Sequence, residues 1–252
     1  KCYFPLEYMV ATINNGGGFY NVETYVHEAK MQGAIIQPPC INQSDIQTTI
    51  QSKTIYLGFQ HLEGLEKKTI IKIINARIHG FFLSLNDFIE RVPLSIEQLD
   101  ILIRINAFRR LGKDKRTLLW EAYYKENTIP ENEAQQSFFR VSMKDFTLPK
   151  FEITKLENAF DQLELLGFPL YDPFILLEQP PLTNLVNSQL YPYLNEIVVI
   201  YGYLVTAKNT RTSKGDRMFF GTFLDQEGHW LDTVHFPPVA KKYPFQGKGI
   251  YK

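Results

Sequence analysis

Four groups of residues in this 252-residue chain have types and spacing that could do chemistry. The first is the turn Gly64-Leu65-Glu66, which opens a helical stretch beginning Lys67-Lys68. A turn whose backbone N–H groups open onto a helix N-terminus can bind a phosphate oxygen, and two lysines there add positive charge. The usual form is Gly-apolar-Gly, and Glu66 stands where the second glycine would be, so a purely structural hairpin is the alternative. The second group is Arg109, Arg110, Lys113, Lys115 and Arg116, read as the basic end of a helix closed by Gly112. The helix dipole favours such residues in any protein, and phosphate contact is the second reading. The third is Lys208, Arg211, Lys214 and Arg217, around a turn between two strands, with Tyr201, Tyr203, Phe220 and Trp230 as possible stacking platforms for bases. Some of those rings must be core, because alternate strand positions face inward.

The fourth group is Gln135-Gln136-Ser137-Phe138-Phe139. It lies in a polar, amide-rich stretch that also holds Pro130, a composition that favours an extended, solvated segment. Burying a Phe is worth roughly 1.5–3 kcal/mol. Two adjacent phenylalanines therefore either fold back onto the helix expected at 155–166 or belong in another protein's pocket.

Other patterns lack the spacing for chemistry. Asn14-Asn15-Gly16-Gly17-Gly18 has no Lys-Ser/Thr after it, so it reads as a connector. His27 reads as a surface or partly packed helix residue. His229 and His235 have no third ligand nearby. Cys2 and Cys40 lack Cys-x-x-Cys spacing and read as free thiols in a reducing cytoplasm. No Asp-x-Asp pair and no Ser/His/Asp or Cys/His constellation stands out. The sequence assigns no catalytic residue, no metal ligand and no cofactor.

The elements that would carry these groups follow from pattern. The chain is 44% hydrophobic and 14% aromatic, enough for a globular core, and it has no run of about 18 apolar residues that would span a membrane. Net charge is zero but uneven. Residues 51–127 hold 13 Lys/Arg against 9 Asp/Glu, residues 194–252 hold 8 against 5, and residues 128–193 hold 4 against 9. Two mildly basic modules flank an acidic one, which permits nucleic-acid binding without requiring it. Pro5 starts one helix; Asn21 and Gly33 bracket a second. Pro38 and Pro39 hold the next stretch extended, and "TIYLGFQ" is a short strand. A helix follows Gly64 with Ile70, Ile71, Ile73 and Ile74 on a broad face. Ser95 and Gln98 form a capping box ahead of Ile96, Leu99, Leu102 and Ile103. Thr154 and Glu157 form another, ahead of Leu156, Phe160, Leu163 and Leu166, and Gly167 and Pro169 stop that helix. From Glu196 the period becomes that of strands. Three meandering strands, a connection at "PPVAKKY" and a further strand at "GKGIYK" follow the order of a five-stranded OB barrel lacking its last strand.

The ordered set "FPLEYMVATI", "EAKMQGAIIQPPCINQSD", "IYLGFQHLEGL", "LIRINAFRRLGK" and "ELLGFPL" resembles the C-terminal half of the bacterial DNA polymerase III alpha subunit, the C-family replicative polymerases. Within that family it is most similar to the shorter, error-prone alpha homologues of translesion synthesis. The resemblance covers essentially the whole chain. It implies an α+β multidomain architecture. Residues 1–45 would be the end of the fingers, 46–127 a helix-hairpin-helix DNA-binding region, 128–193 a clamp-binding region, and 194–252 a truncated OB domain near single-stranded template. It implies DNA, duplex and single-stranded, as a partner, together with the sliding clamp and other replication or translesion proteins in the bacterial cytoplasm. The family binds the clamp through Gln-x-x-apolar-Phe, which Gln135, Ser137, Phe138 and Phe139 match. Its Mg²⁺-holding carboxylates sit in the palm, upstream of these residues, so this segment should bind and position while its parent is the nucleotidyltransferase. A stand-alone OB-containing module that binds single-stranded nucleic acid is the alternative from another class.

Overall fold

The computed structural model describes residues 3–18, 20–128 and 154–252. They form two compact units, one of Lys1–Gly16 with Val26–Leu170 and one of Gly17–Tyr25 with Tyr171–Lys252.

The first unit is mainly helical. Helix α1 (Pro5–Asn14) has proline in its first turn, where a missing N–H costs nothing. Helix α2 (Val22–Met31) follows, and its residues from Val26 onward belong to this unit. Three short strands, β1 (Ile35–Gln37), β2 (Thr49–Gln51) and β3 (Thr54–Tyr56), make a small sheet in the order β1-β3-β2. A single 3-10 turn, Phe59–His61, leads to α3 (Lys67–Arg77), α4 (Leu85–Arg91) and α5 (Ile96–Arg104). Helices α6 (Lys115–Thr128) and α7 (Lys155–Leu166) complete the unit.

Aromatic packing centres this core. Phe82, Phe88 and Phe108 are buried, and their rings meet edge to face at 4.9 Å in two successive pairs, a geometry that aligns ring edge with ring face. The Arg91 guanidinium lies 4.5 Å over the Phe82 ring. It donates to the carbonyls of Ala76, Gly80 and Phe81, and so closes the loop between α3 and α4.

Two helices present other faces than periodicity suggests. On α3, Ile70 and Ile73 are buried while Ile71 is half exposed. On α7, the buried residues are Ala159, Gln162, Leu165 and Leu166, and Leu156 and Phe160 are exposed. The cause is charge, because Glu157, Asp161 and Glu164 of α7 are bound by cations of α5 and α6. That pairing turns the apolar stripe partly outward.

The second unit is a curled antiparallel half-barrel, an incomplete OB-type barrel. Strands β4 (Gly202–Arg211), β5 (Arg217–Leu224) and β6 (Trp230–His235) meander, α8 (Pro237–Lys242) crosses over, and β7 (Ile250–Tyr251) returns beside β4. The order is β6-β5-β4-β7. The β4–β5 connection closes with the Gly215 N–H donating to the Thr212 carbonyl at 2.9 Å, and Gly215 takes φ +86°, a conformation glycine adopts without strain. Asp225 organises the next turn, its buried carboxylate accepting from the N–H groups of Glu227, His229 and Asn187.

Strand β4 starts later than the β-branched run from Glu196 suggests. Tyr203 is opposite Leu224, the last residue of β5, and β7 reaches only Gly202 and Tyr203. Upstream of Gly202 the ladder has no partner, so the residues from Glu196 carry strand propensity without a strand.

Phe245 plugs one face of the half-barrel. Its ring packs against His235 at 4.6 Å, Tyr251 at 5.5 Å, Phe219 at 5.6 Å and Phe223 at 5.8 Å. The ring fits because position 221 has no side chain: a Cβ on Gly221 would stand 2.7 Å from the Phe223 ring and 2.9 Å from the Phe245 ring. Gly221→Ala should therefore destabilise the protein by about 1–3 kcal/mol through overpacking. A thermal melt checks this, and a second substitution, Phe245→Leu, should recover part of the loss.

Candidate nucleic-acid interface

Gly64 takes φ +78°, so the chain reverses sharply before α3. Glu66 is the N-cap residue, but its side chain makes no capping bond. Its carbonyl accepts from the N–H groups of Thr69 at 2.9 Å and Ile70 at 3.1 Å. Those bonds are the helix's own. The N–H groups of Lys67 and Lys68, in the first turn, have no such acceptor, which is the ordinary state of a helix start. The macrodipole makes that end attractive to an anion. Lys67 and Lys68 are both exposed, and Lys68 pairs with Glu66 at 2.9 Å on the surface. Glu66 therefore sits with a cation beside it, which offsets part of its repulsion of phosphate.

Gln98, read from sequence as half of a capping box, does something else. Ser95 is the N-cap residue of α5 but makes no side-chain capping bond. The Glu66 N–H donates to Gln98 Oε1 at 2.8 Å, and Gln98 Nε2 donates to the Gly64 carbonyl at 2.8 Å. Helix α5 thus holds both sides of the turn. The sequence offered no signal for it, since Gln98 three residues after Ser95 reads only as half of a capping box.

The basic cluster after α5 divides in two. The cluster is also not the end of a helix: α5 stops at Arg104, and Lys115 and Arg116 begin α6. Asp114 starts that helix, accepting from the Thr117 N–H at 3.0 Å and the Thr117 hydroxyl at 2.5 Å. Two cations at a helix start oppose the dipole, and the fold compensates them with acids of α7. Lys115 is buried; its Nζ is 2.5 Å from Asp161 Oδ2 and 3.6 Å from Glu157 Oε1, and it donates to Asn158 Oδ1 at 3.1 Å. Arg116 donates to Glu157 at 2.8 Å. Arg104 joins the same lattice, binding Asp161 at 2.9 Å and also Glu164. Arg109 turns inward, its guanidinium donating to the carbonyls of Pro38 at 2.9 Å and Pro39 at 3.0 Å, and burial holds its pKa below the ordinary guanidinium value. Lys115 and Arg109 are therefore bonded inside the fold, and Arg116 is partly exposed beside Glu157. Lys113 pairs with Glu121, and Arg110 is exposed.

In the half-barrel, Lys208, Arg211, Lys214 and Arg217 are all exposed. Arg211 and Arg217 are direct register partners across the β4–β5 ladder. Like charges directly opposite are unfavourable in a sheet, and an anion beside them would relieve the repulsion. Phe220 is 44% exposed and lies between Lys208 and Val234 in register, so it presents a ring next to a cation. Tyr203 is core, and Trp230 packs against the cluster of Tyr203, Val205 and Leu224. Neither is a free platform.

Gln135, Ser137, Phe138 and Phe139 lie outside the described residues. Among the described residues, no group of three or more His, Cys, Asp or Glu is placed to hold a metal ion, and no helix is long and apolar enough to cross a membrane.

Residues 33–118 match a family model described as a helix-hairpin-helix motif, which encloses the Gly64 turn, α3, α4 and α5. Curated relatives extend the match along the chain. A DNA polymerase III subunit alpha of Staphylococcus epidermidis is 28% identical over 259 residues, covering 96% of this chain and 23% of the relative. That of Staphylococcus aureus is 29% identical with the same coverage. That of Aquifex aeolicus is 27% identical over 257 residues, covering 96% of this chain and 21% of the relative. The chain is similar to the alpha subunit of bacterial DNA polymerase III. It spans under a quarter of the length of these alpha subunits.

The ion lattice around Lys115 gives a stability test. Lys115→Met leaves Asp161 and Glu157 without their buried partner, a loss of about 3 kcal/mol, at the low end because Arg104 and Arg116 remain. A melt should show that loss. The lattice also sets an acid limit. Hydrogen bonding from Arg116 is the largest influence and holds the Glu157 carboxyl below its ordinary value near 4.5; burial opposes it, and the charges of Lys115 and Arg116 add to the lowering. A carboxylate with a lowered folded pKa contributes stability that is present above the unfolded value and lost as pH falls through the folded one. The melting temperature should hold from pH 7 to about pH 5 and drop below about pH 4.5. Arg116→Ala should flatten that drop.

Proposed function

We propose that this chain is a DNA-positioning portion of a bacterial DNA polymerase III alpha subunit, which contacts the duplex backbone through the helix-hairpin-helix turn and carries no catalytic group of its own. The observation that carries this reading is the start of α3. Open amides and the exposed Lys67 and Lys68 follow a left-handed Gly64, inside a helix-hairpin-helix match on a chain that resembles the polymerase along 96% of its length. Phosphate contacts of this kind fix position on the duplex without reading sequence, which suits a polymerase that must hold any template. The catalytic Mg²⁺ ions of such a polymerase need converging carboxylates. The acids of this chain's lattice face cations instead, so no step of nucleotide transfer is assigned to it.

The half-barrel supports a second contact, with single-stranded template. Phe220 would stack on a base, and Lys208, Arg211, Lys214 and Arg217 would meet phosphates. The clamp-binding role belongs to Gln135–Phe139, in which two rings fill an apolar pocket and the glutamine bonds at its rim. The role in translesion synthesis, and the four-part division at residues 45, 127 and 193, belong to this reading too.

Duplex binding should be weak and salt-dependent. A log–log slope of affinity against salt of about −2 to −4 is expected for two to four phosphate contacts. Lys67→Ala with Lys68→Ala should reduce its magnitude by about 2. Fluorescence anisotropy across a salt series measures both, and a slope unchanged by the double substitution would contradict the hairpin contact.

Clamp binding should be near micromolar, about −8 kcal/mol. Phe138→Ala with Phe139→Ala should abolish most of it in a clamp titration and leave the melting temperature in place. A large fall in melting temperature with clamp affinity retained would assign the two rings to the chain's own core.

A further inference from the structure

We propose that Gln98 is a positioning residue for the phosphate contact, one that sets the hairpin turn before DNA arrives. The proposal rests on the reading of the Gly64 turn as a duplex-backbone contact. Turns of the Gly-apolar-Gly form have a second glycine, and this chain has Glu66 there. A residue with a Cβ narrows the conformations at that position, and its N–H still needs an acceptor where it is partly buried. Gln98 supplies that acceptor. With one planar amide it takes the Glu66 N–H and returns a hydrogen bond to the Gly64 carbonyl, each at 2.8 Å.

The side chain is buried, so these bonds compete little with water. It comes from α5, an element separate in sequence from the turn it holds. One helical turn further along α5, Ile101 closes the other side: a Cβ on Gly64 would stand 3.2 Å from its Cδ1. Helix α5 therefore acts as a splint. With Gly64 and Glu66 fixed, the amides of Lys67 and Lys68 keep one direction, and the ordering they would otherwise undergo on binding is already done. Gln98 touches no phosphate. It acts through the turn.

The test uses the full chain and a short duplex, read by anisotropy at a temperature well below melting. Gln98→Met keeps length and burial but makes neither hydrogen bond. Duplex affinity should fall about tenfold. Lys67→Ala with Lys68→Ala, measured beside it, reads the underlying contact. If the lysine variant weakens binding and Gln98→Met does not, the positioning role is overturned and the hairpin reading survives. If neither weakens it, the hairpin reading fails and the proposal falls with it. Should Gln98→Met not fold, the unaltered chain decides by amide resonances during a duplex titration. The Gln98 side-chain amide protons should shift with the same midpoint as the Lys67 and Lys68 backbone amides. Backbone shifts without any movement of the Gln98 amide would overturn the proposal.

Discussion

The ammonium of Lys115 lies out of water with Asp161 at 2.5 Å, and much of the first unit is arranged around that demand. A cation removed from solvent must find acceptors, because an unpaired buried charge costs several kcal/mol. Asp161, Glu157 and Asn158 all come from α7, so the requirement docks α7 against the start of α6. Arg104 then ties the same helix to α5. Helix α5 in turn carries Gln98, which holds the hairpin turn. The chain of dependence runs from one buried lysine, through three helices, to the start of α3.

The same requirement sorts the basic residues by role. Arg109, Lys115 and Arg116 satisfy carbonyls and carboxylates of the fold. Lys67, Lys68 and Arg110 remain exposed, as do Lys208, Arg211, Lys214 and Arg217 on the half-barrel. Net charge by segment hides this division. A cation committed internally and one open to solvent count alike in sequence, yet only the second can release counterions from DNA.

Local rules made much of the fold legible. Pro5 and the turn glycines marked boundaries because their backbone preferences do not depend on distant partners. The order of the half-barrel strands was legible because three meandering strands followed by a crossover leave few places for the next one. Tertiary rules were not legible. The stripe Leu156, Phe160, Leu163 and Leu166 has the right helical spacing, yet only Leu166 is buried, and the cations of α5 and α6 hold the acidic face of α7 instead. The β-branched residues from Glu196 have strand propensity, yet β5 ends at Leu224 and gives them no partner. Gln98 fits a capping box by spacing and bonds the turn instead. In each case the deciding partner lies tens of residues away. The turn at Gly64 was found from sequence because its chemistry is local, and the splint that holds it was not, because its chemistry is long-range.

Lysine reactivity tests this division most directly. The full chain is acetylated briefly, with and without a saturating short duplex at low salt, and each lysine is quantified by mass spectrometry. Lys67 and Lys68 should react freely alone and be protected by the duplex, while Lys115 should stay unreactive in both states. Equal reactivity of Lys67 and Lys68 with and without DNA, or a Lys115 that reacts freely and becomes protected, would contradict the account.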